Sequence, residues 1–435
     1  MKKTYPNVLL VSHNSFSDSK NNGKTLASLF EGWDKNNLAQ LYFNPEKPNG
    51  NVCNNFFRIT EEMILKRKKS EVGDILFLEN DCSDNFQEII GLSSRKYKPP
   101  IFFTVREIIW ETQKWKNDKL ENWLESVNPS VIFFVGGGSA FSYNIVNYIS
   151  NKFDLPVILY FTDDYMYEID QWKFIDRFNN TLFKRAFKKV LLKTKMIFTI
   201  GEEMANEYKM EFNKETVPLM NSIELNNYKF NESRYDLPNN SNKKNLKIGF
   251  FGSLHSNRDK TVSKLINTIK AYNQKNKSSF TLDIFTQDNL TSEQLKQYNQ
   301  PSICEYKGAV GKDEIIKKMY EYDLLLHIES FDKKAIKATR LSISTKIPEY
   351  LATGIPILAI GPSSVASIKY IKDLNLSFVI NDIGEINLLN QLKYIQENIN
   401  IFTQKSSFSK EIVLGKHSKI KNHEILLKNI SLYSK

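Results

Sequence analysis

The sequence has no C-x-x-C pair, no long apolar run and no short internal repeat. Its three cysteines, Cys53, Cys82 and Cys304, lie far apart and match no zinc spacing. A disulfide scaffold is therefore a poor reading, and unpaired thiols in a reducing compartment are expected. No stretch approaches the roughly 18–20 apolar residues of a spanning helix. The first apolar run, Val8–Val11, is too short for a signal-peptide core. A cytoplasmic protein is expected, soluble or peripheral at the inner face of the cell membrane. No recognisable nucleic-acid-binding module occurs, so nucleic acid is not an expected partner.

The chain has 435 residues, 41% hydrophobic and 25% charged. Those proportions exclude disorder and collagen-like repeats, and the length suggests two or three domains. Sixty Lys and Arg face 49 Asp and Glu, a formal charge of +11. The excess favours an anionic partner, such as a phosphorylated ligand or an acidic membrane surface.

Short apolar runs alternate with helical patterns, as in βαβ units. In the first half, Val8–Val11, Leu41–Phe43, Phe56–Ile59, Ile75–Leu78, Ile101–Val105, Val131–Val135, Val157–Phe161 and Met196–Ile200 read as strands. The alternation restarts with Leu246–Phe251, Thr281–Phe285, Leu324–Ile328, Ile357–Ile360 and Ser377–Ile380. Between the halves, Asn226–Asn245 is rich in Asn, Ser and Lys and reads as a linker. The predicted fold is α/β, with two doubly wound parallel-sheet (Rossmann-like) domains facing a cleft. The expected divisions are 1–228, a linker at 229–245, 246–410, and a helical tail at 411–435 packing back on the first domain. Ligands of such sheets bind outside the carboxyl ends of the strands.

The most specific text is Ser344-Thr345-Lys346-Ile347-Pro348-Glu349-Tyr350-Leu351-Ala352-Thr353-Gly354-Ile355-Pro356-Ile357. It resembles the nucleotide-sugar signature of GT-B glycosyltransferases, nearest to those that build bacterial capsules and lipopolysaccharide. Phe250-Phe251-Gly252-Ser253 with Arg258 resembles the strand and glycine turn opening their donor domain. Tyr306-Lys307-Gly308 with Asp323-Leu324, and Val217-Pro218 before the linker, resemble further family stretches. The resemblance implies a donor domain at 246–410 and an acceptor-side domain at 1–228. It implies a sugar moved from a nucleotide diphosphate, most plausibly UDP, to a hydroxyl of a glycan or lipid-linked acceptor. It also implies no metal and no cofactor.

The chemistry of these residues suits that donor. A Glu349 carboxylate can accept from both hydroxyls of a ribose diol. Ser344, Thr345 and the helix-start N–H groups can hold phosphate oxygens. Lys346 and Arg258 are candidate diphosphate cations, although a lone basic residue is commonly a solvated one. Gly23 is either a helix-start glycine or a close approach to the donor. Glu329, ending a strand, is a candidate sugar contact.

Asp163 and Asp164 end strand Val157–Phe161, as a general base for the acceptor hydroxyl or as a helix cap. His13 and His255 follow strands and are either ligand contacts or structural. Gly136-Gly137-Gly138-Ser139 lacks the third glycine of a dinucleotide fingerprint, Phe141 standing there. It opens a helix, where an anion can dock, and is read as a tight turn lining the acceptor side. The Glu-x7-Glu of retaining relatives is incomplete, because Leu341 occupies the first position. The stereochemical outcome stays open.

Trp172–Lys195 is basic with apolar residues at helical spacing. It reads as a core helix with a basic outer face, with a membrane-surface helix as the alternative. A nucleotide-sugar epimerase and a non-catalytic partner subunit are the competing functional readings.

Overall fold

The computed structural model describes residues 4–17, 21–78, 100–166, 174–228 and 244–434. The expected linker at 229–245 falls almost wholly outside the described residues, as do Cys82 and Trp172. The chain divides into two compact units, 1–220 with 419–435, and 221–418.

The first unit holds an eight-stranded sheet. Its strands are β1 (Val8–Ser12), β2 (Leu38–Tyr42), β3 (Asn55–Arg58), β4 (Asp74–Phe77), β5 (Val131–Val135), β6 (Val157–Phe161), β7 (Thr194–Thr199) and β8 (Glu215–Pro218). The order is β4-β3-β2-β1-β5-β6-β7-β8. All neighbours are parallel except β3 with β4, which are antiparallel. Strands β1, β5 and β6 are buried at every residue. That burial on both faces explains why they read as unbroken apolar runs.

The second unit holds β9 (Asn245–Phe251), β10 (Ser279–Phe285), β11 (Cys304–Gly308), β12 (Leu324–Ile328), β13 (Ile357–Ile360) and β14 (Phe378–Ile380). Their order is β11-β10-β9-β12-β13-β14, and every pairing is parallel. One apolar cluster spans the sheet and its helices, from Ile248 and Leu326 to Leu392 and Phe402.

Both sheets reverse strand order once. In the first unit the reversal lies between β1 and β5, and in the second between β9 and β12. Ligand sites of open parallel sheets form at such switch points, beyond the carboxyl ends of the strands.

The structure corrects one strand. Ile101–Val105 lies within a helix, Pro100–Glu111. Its inward residues, Glu107 and Trp110, are buried. Ile101, Val105 and Ile108, at helical spacing, face outward, so the apolar run does not mark a buried strand. Strands β8 and β11 escaped the sequence reading because both are polar edge strands.

Candidate active site

At the first switch point lies a pocket of about 250 Å³. The residues after β1 (Ser12, His13, Asn14) form one wall and those after β5 (Gly136 to Ser139) the other, with Arg106 and Tyr165 at its side. Burial pushes the His13 imidazole down to about 3, with the Arg106 charge acting in the same direction. The ring is therefore neutral near pH 7. Its edges meet Phe43 and Phe141 at 5.6 and 5.4 Å between centroids. Arg106 lies 4.7 Å over the Phe141 ring and pairs with Glu61.

The helix after the glycine turn, Ala140–Lys152, begins against an internal anion. The Glu107 carboxylate accepts the N–H groups of Ala140 and Phe141, each at 2.9 Å. Burial lifts Glu107 to about 7, against the opposing pull of those two N–H groups and of Arg106. The expectation that an anion docks at this helix start is thus met by the chain's own carboxylate. Glu107 comes from a helix 33 residues upstream, so no local motif marks it.

Asp164 is 1% exposed. Its Oδ1 accepts from the Tyr208 hydroxyl at 2.8 Å and from the Met166 N–H at 3.0 Å. It holds the segment after β6 in place rather than facing solvent. Asp163 beside it is exposed. Gly23 sits in the first turn of helix Asn21–Phe30. A Cβ there would collide with the Ser15 carbonyl oxygen and touch Ser17. The close approach that requires glycine is therefore to the chain's own loop.

In the second unit, the turn after β9 is fixed by Asp288. Its carboxylate accepts from the Ser253 hydroxyl at 3.0 Å and the Leu254 N–H at 2.6 Å, and faces His255 at 3.1 Å. Gly252 precedes this turn, its N–H donating to the Phe285 carbonyl. Arg258 opens helix Arg258–Lys275 and reaches Glu329. Its Nη2 and Nε lie 2.9 and 3.2 Å from one carboxylate oxygen. The other oxygen accepts from Ser367 at 3.1 Å. Glu329 is 3% exposed. The two residues read separately as a phosphate cation and a sugar contact are partners of each other. His327 lies 3.5 Å from Glu329. Burial holds His327 down to about 4 although that carboxylate pulls it upward.

Helix Lys346–Thr353 carries the signature. In a parallel sheet a crossover helix runs against the strands, so its N-terminus lies toward their carboxyl ends. The Tyr350 hydroxyl fastens it there, bonding the Phe251 N–H at 3.2 Å and lying 3.3 Å from the Phe251 and Leu326 carbonyls. Lys346 and Glu349 pair across one turn at 2.6 Å. Thr345 stands at the cap position, exposed, with no side-chain cap bond. Ser344 meets the helix start instead, its hydroxyl accepting the Lys346 N–H at 3.3 Å and its carbonyl the Ile347 N–H at 3.2 Å. Tyr228, which the sequence did not single out, lies near enough for the Glu349 charge to act on it, and burial with that charge raises its phenol. Leu341 is 4% exposed, so the position eight before Glu349 packs as core. Among the described residues, no three His, Cys, Asp or Glu side chains are grouped as metal ligands.

Residues 262–419 match the family model described as glucosyltransferase 3-like, C-terminal domain. No curated protein matches the chain at the level of sequence. Among solved structures, HepE of Anabaena in complex with UDP is similar at TM-score 0.59 and 11% identity, over 98% of this chain and 99% of that one. Sucrose-phosphate synthase of Thermosynechococcus elongatus is similar at TM-score 0.61 and 10% identity, over 99% of both chains. WaaG, a glycosyltransferase involved in lipopolysaccharide biosynthesis, is similar at TM-score 0.54 and 12% identity, over 96% of this chain and 99% of that one. The fold is that of GT-B glycosyltransferases. The family match is confined to residues 262–419, within the second unit.

Proposed function

We propose that the protein transfers a sugar from a UDP-linked donor to a hydroxyl of a glycan or lipid-linked acceptor in surface-polysaccharide assembly, in the cytoplasm. The observation that carries this reading is the start of helix Lys346–Thr353. It opens toward the strand ends with the Thr345 side chain exposed and making no cap bond, and with the Lys346–Glu349 pair on its first turn. Support for UDP comes from HepE, solved with UDP and with UDP-glucose.

In this reading Glu349 accepts the ribose hydroxyls. The Ser344 and Thr345 hydroxyls face the diphosphate at the helix start, and Lys346 turns from Glu349 toward it. The bond between the sugar's anomeric carbon and the β-phosphate oxygen breaks, and UDP leaves with the electron pair. The acceptor oxygen forms the new bond and gives up its proton. Positive charge at a helix start and on Lys346 stabilises the departing diphosphate, which is the task a metal performs elsewhere. In the first unit, His13 is a neutral imidazole lining a pocket of polar side chains, and with its basicity lowered by burial it holds the acceptor hydroxyl by a hydrogen bond rather than taking its proton. Asp163 is the exposed carboxylate that takes the proton, whereas Asp164 is engaged with Tyr208 and Met166.

The test is UDP release from UDP-sugars, measured with and without a panel of hydroxyl acceptors. Transfer predicts release that depends on acceptor, with the sugar recovered on it. An isomerised donor formed without acceptor would identify an epimerase. No turnover together with no UDP binding would identify a non-catalytic partner subunit.

A further inference from the structure

A second pocket of the first unit, about 320 Å³, lies on the flank of helix Ala140–Lys152. Asn144, Asn147 and Asn151 line it, and their spacing of i, i+3 and i+7 puts them on one helix face. Asparagine competes with helix formation, so a stripe of three calls for a reason outside the helix. The Asn144 amide donates to Glu111 at 3.0 Å, and the Asn151 amide to the Asn147 side-chain oxygen at 3.2 Å. Among the described residues, no protein group bonds the Asn144 oxygen or the Asn147 nitrogen. The floor is aromatic. Trp110 stacks on Phe141 at 4.0 Å between centroids, and Trp115 meets Tyr148 at 5.5 Å.

A concave site with an aromatic floor and a few convergent polar groups has the form of a small-molecule site. Its chemistry selects the ligand. An amide offers donors and an acceptor together, which matches neighbouring sugar hydroxyls, each itself a donor and an acceptor. The apolar face of a sugar ring suits the aromatic floor. The charges do not favour an anion. Lys116 donates to Gln113 at 3.1 Å and lies 4.6 Å from the Tyr148 ring centre, and Glu111 offsets Lys189, which also lines the pocket. We propose that this pocket binds a sugar unit of a glycan, as a second saccharide site apart from the place of transfer. It shares no lining residue with the switch-point pocket. Phe141 links the two, its ring meeting the His13 imidazole at 5.4 Å and stacking on Trp110. From there the asparagines run down the helix, away from its start at the glycine turn. The inference goes beyond the transfer reading and needs neither donor nor turnover.

The experiment is saturation-transfer NMR titration of the full chain, without nucleotide, against trisaccharides of glucose, galactose, rhamnose and N-acetylglucosamine, with inorganic phosphate as the anion probe. Wild type should bind at least one trisaccharide, and phosphate should not displace it. Asn144→Ala with Asn147→Ala and Asn151→Ala should weaken that binding about tenfold or more, from the loss of two or more hydrogen bonds. Alanine is the better helix former, so this variant keeps its helix, which circular dichroism checks. His13→Ala, in the switch-point pocket, should leave the same binding in place. No trisaccharide bound by wild type overturns the inference. So does binding that survives the asparagine variant but is lost in His13→Ala, which would assign the sugar to the switch-point pocket. Displacement by phosphate overturns it too, as the mark of an anion site. UDP titration of wild type is read separately: trisaccharide binding without UDP binding would sink the transfer reading and leave this inference standing.

Discussion

Both sheets reverse at one point, and the chain fills the two points differently. In the first unit a buried carboxylate, Glu107, already occupies the helix start beside the switch point, and a polar pocket with Arg106 at its side remains in front of it. In the second unit the buried carboxylate, Glu329, is matched by Arg258, and the signature helix starts with the Thr345 side chain exposed and making no cap bond. One switch point is thus neutralised by the backbone and the other by a side-chain cation. A site closed by an internal anion suits a hydroxyl-rich ligand. A site with exposed hydroxyls and a lysine at a helix start suits a phosphorylated one.

The difference can be broken one charge at a time. The largest effect is expected from Arg258→Ala, which leaves Glu329 buried without its cation. A loss of about 3–5 kcal/mol is expected, read as earlier calorimetric unfolding, and a second change, Glu329→Gln, should recover much of it.

Glu107→Gln is next. It keeps the shape but removes one of two acceptors, costing about 1–2 kcal/mol at the helix start. The cost should depend on pH. Burial raises the folded carboxyl to about 7 from 4.5. A raised pKa favours the protonated form in the fold, so its stabilisation is full below about 4.5 and is lost as pH rises to about 7. Glutamine does not titrate. The variant's deficit relative to wild type should therefore be largest near pH 4.5 and smallest at pH 8, measured by urea unfolding. An unchanging deficit would mean that Glu107 is ionised throughout.

Tyr350→Phe removes the hydroxyl that ties the signature helix to β9 and β12. It should cost about 1 kcal/mol and weaken UDP binding severalfold, with no effect on the first unit's pocket. Asp163→Asn should be the smallest, within about 0.5 kcal/mol in stability. If acceptor-dependent turnover also survives it, Asp163 is not the base.

Much of the fold was legible because its central strands are buried on both faces. Val131–Val135 and Leu324–Ile328 appear as unbroken apolar runs. The signature helix was legible as a motif, and the chain places its N-terminus toward the strand ends. What escaped is non-local or polar. Arg258 meets Glu329 across 71 positions, and Glu107 meets Phe141 across 34. Nothing in either local stretch announces its partner. Helix Pro100–Glu111 misled because its stripe of Ile and Val faces solvent. The inward position that betrays it is a glutamate, which propensity counts as surface.

The central claim is that the donor nucleotide belongs to the second unit's signature helix and not to the first unit's glycine turn. Calorimetric titration of UDP into wild type, Glu349→Ala and Glu107→Gln tests it most directly. The account predicts that wild type and Glu107→Gln bind alike, and that Glu349→Ala loses about 1.4 kcal/mol or more, a tenfold weakening. Unchanged binding in Glu349→Ala, or binding lost only in Glu107→Gln, would contradict it.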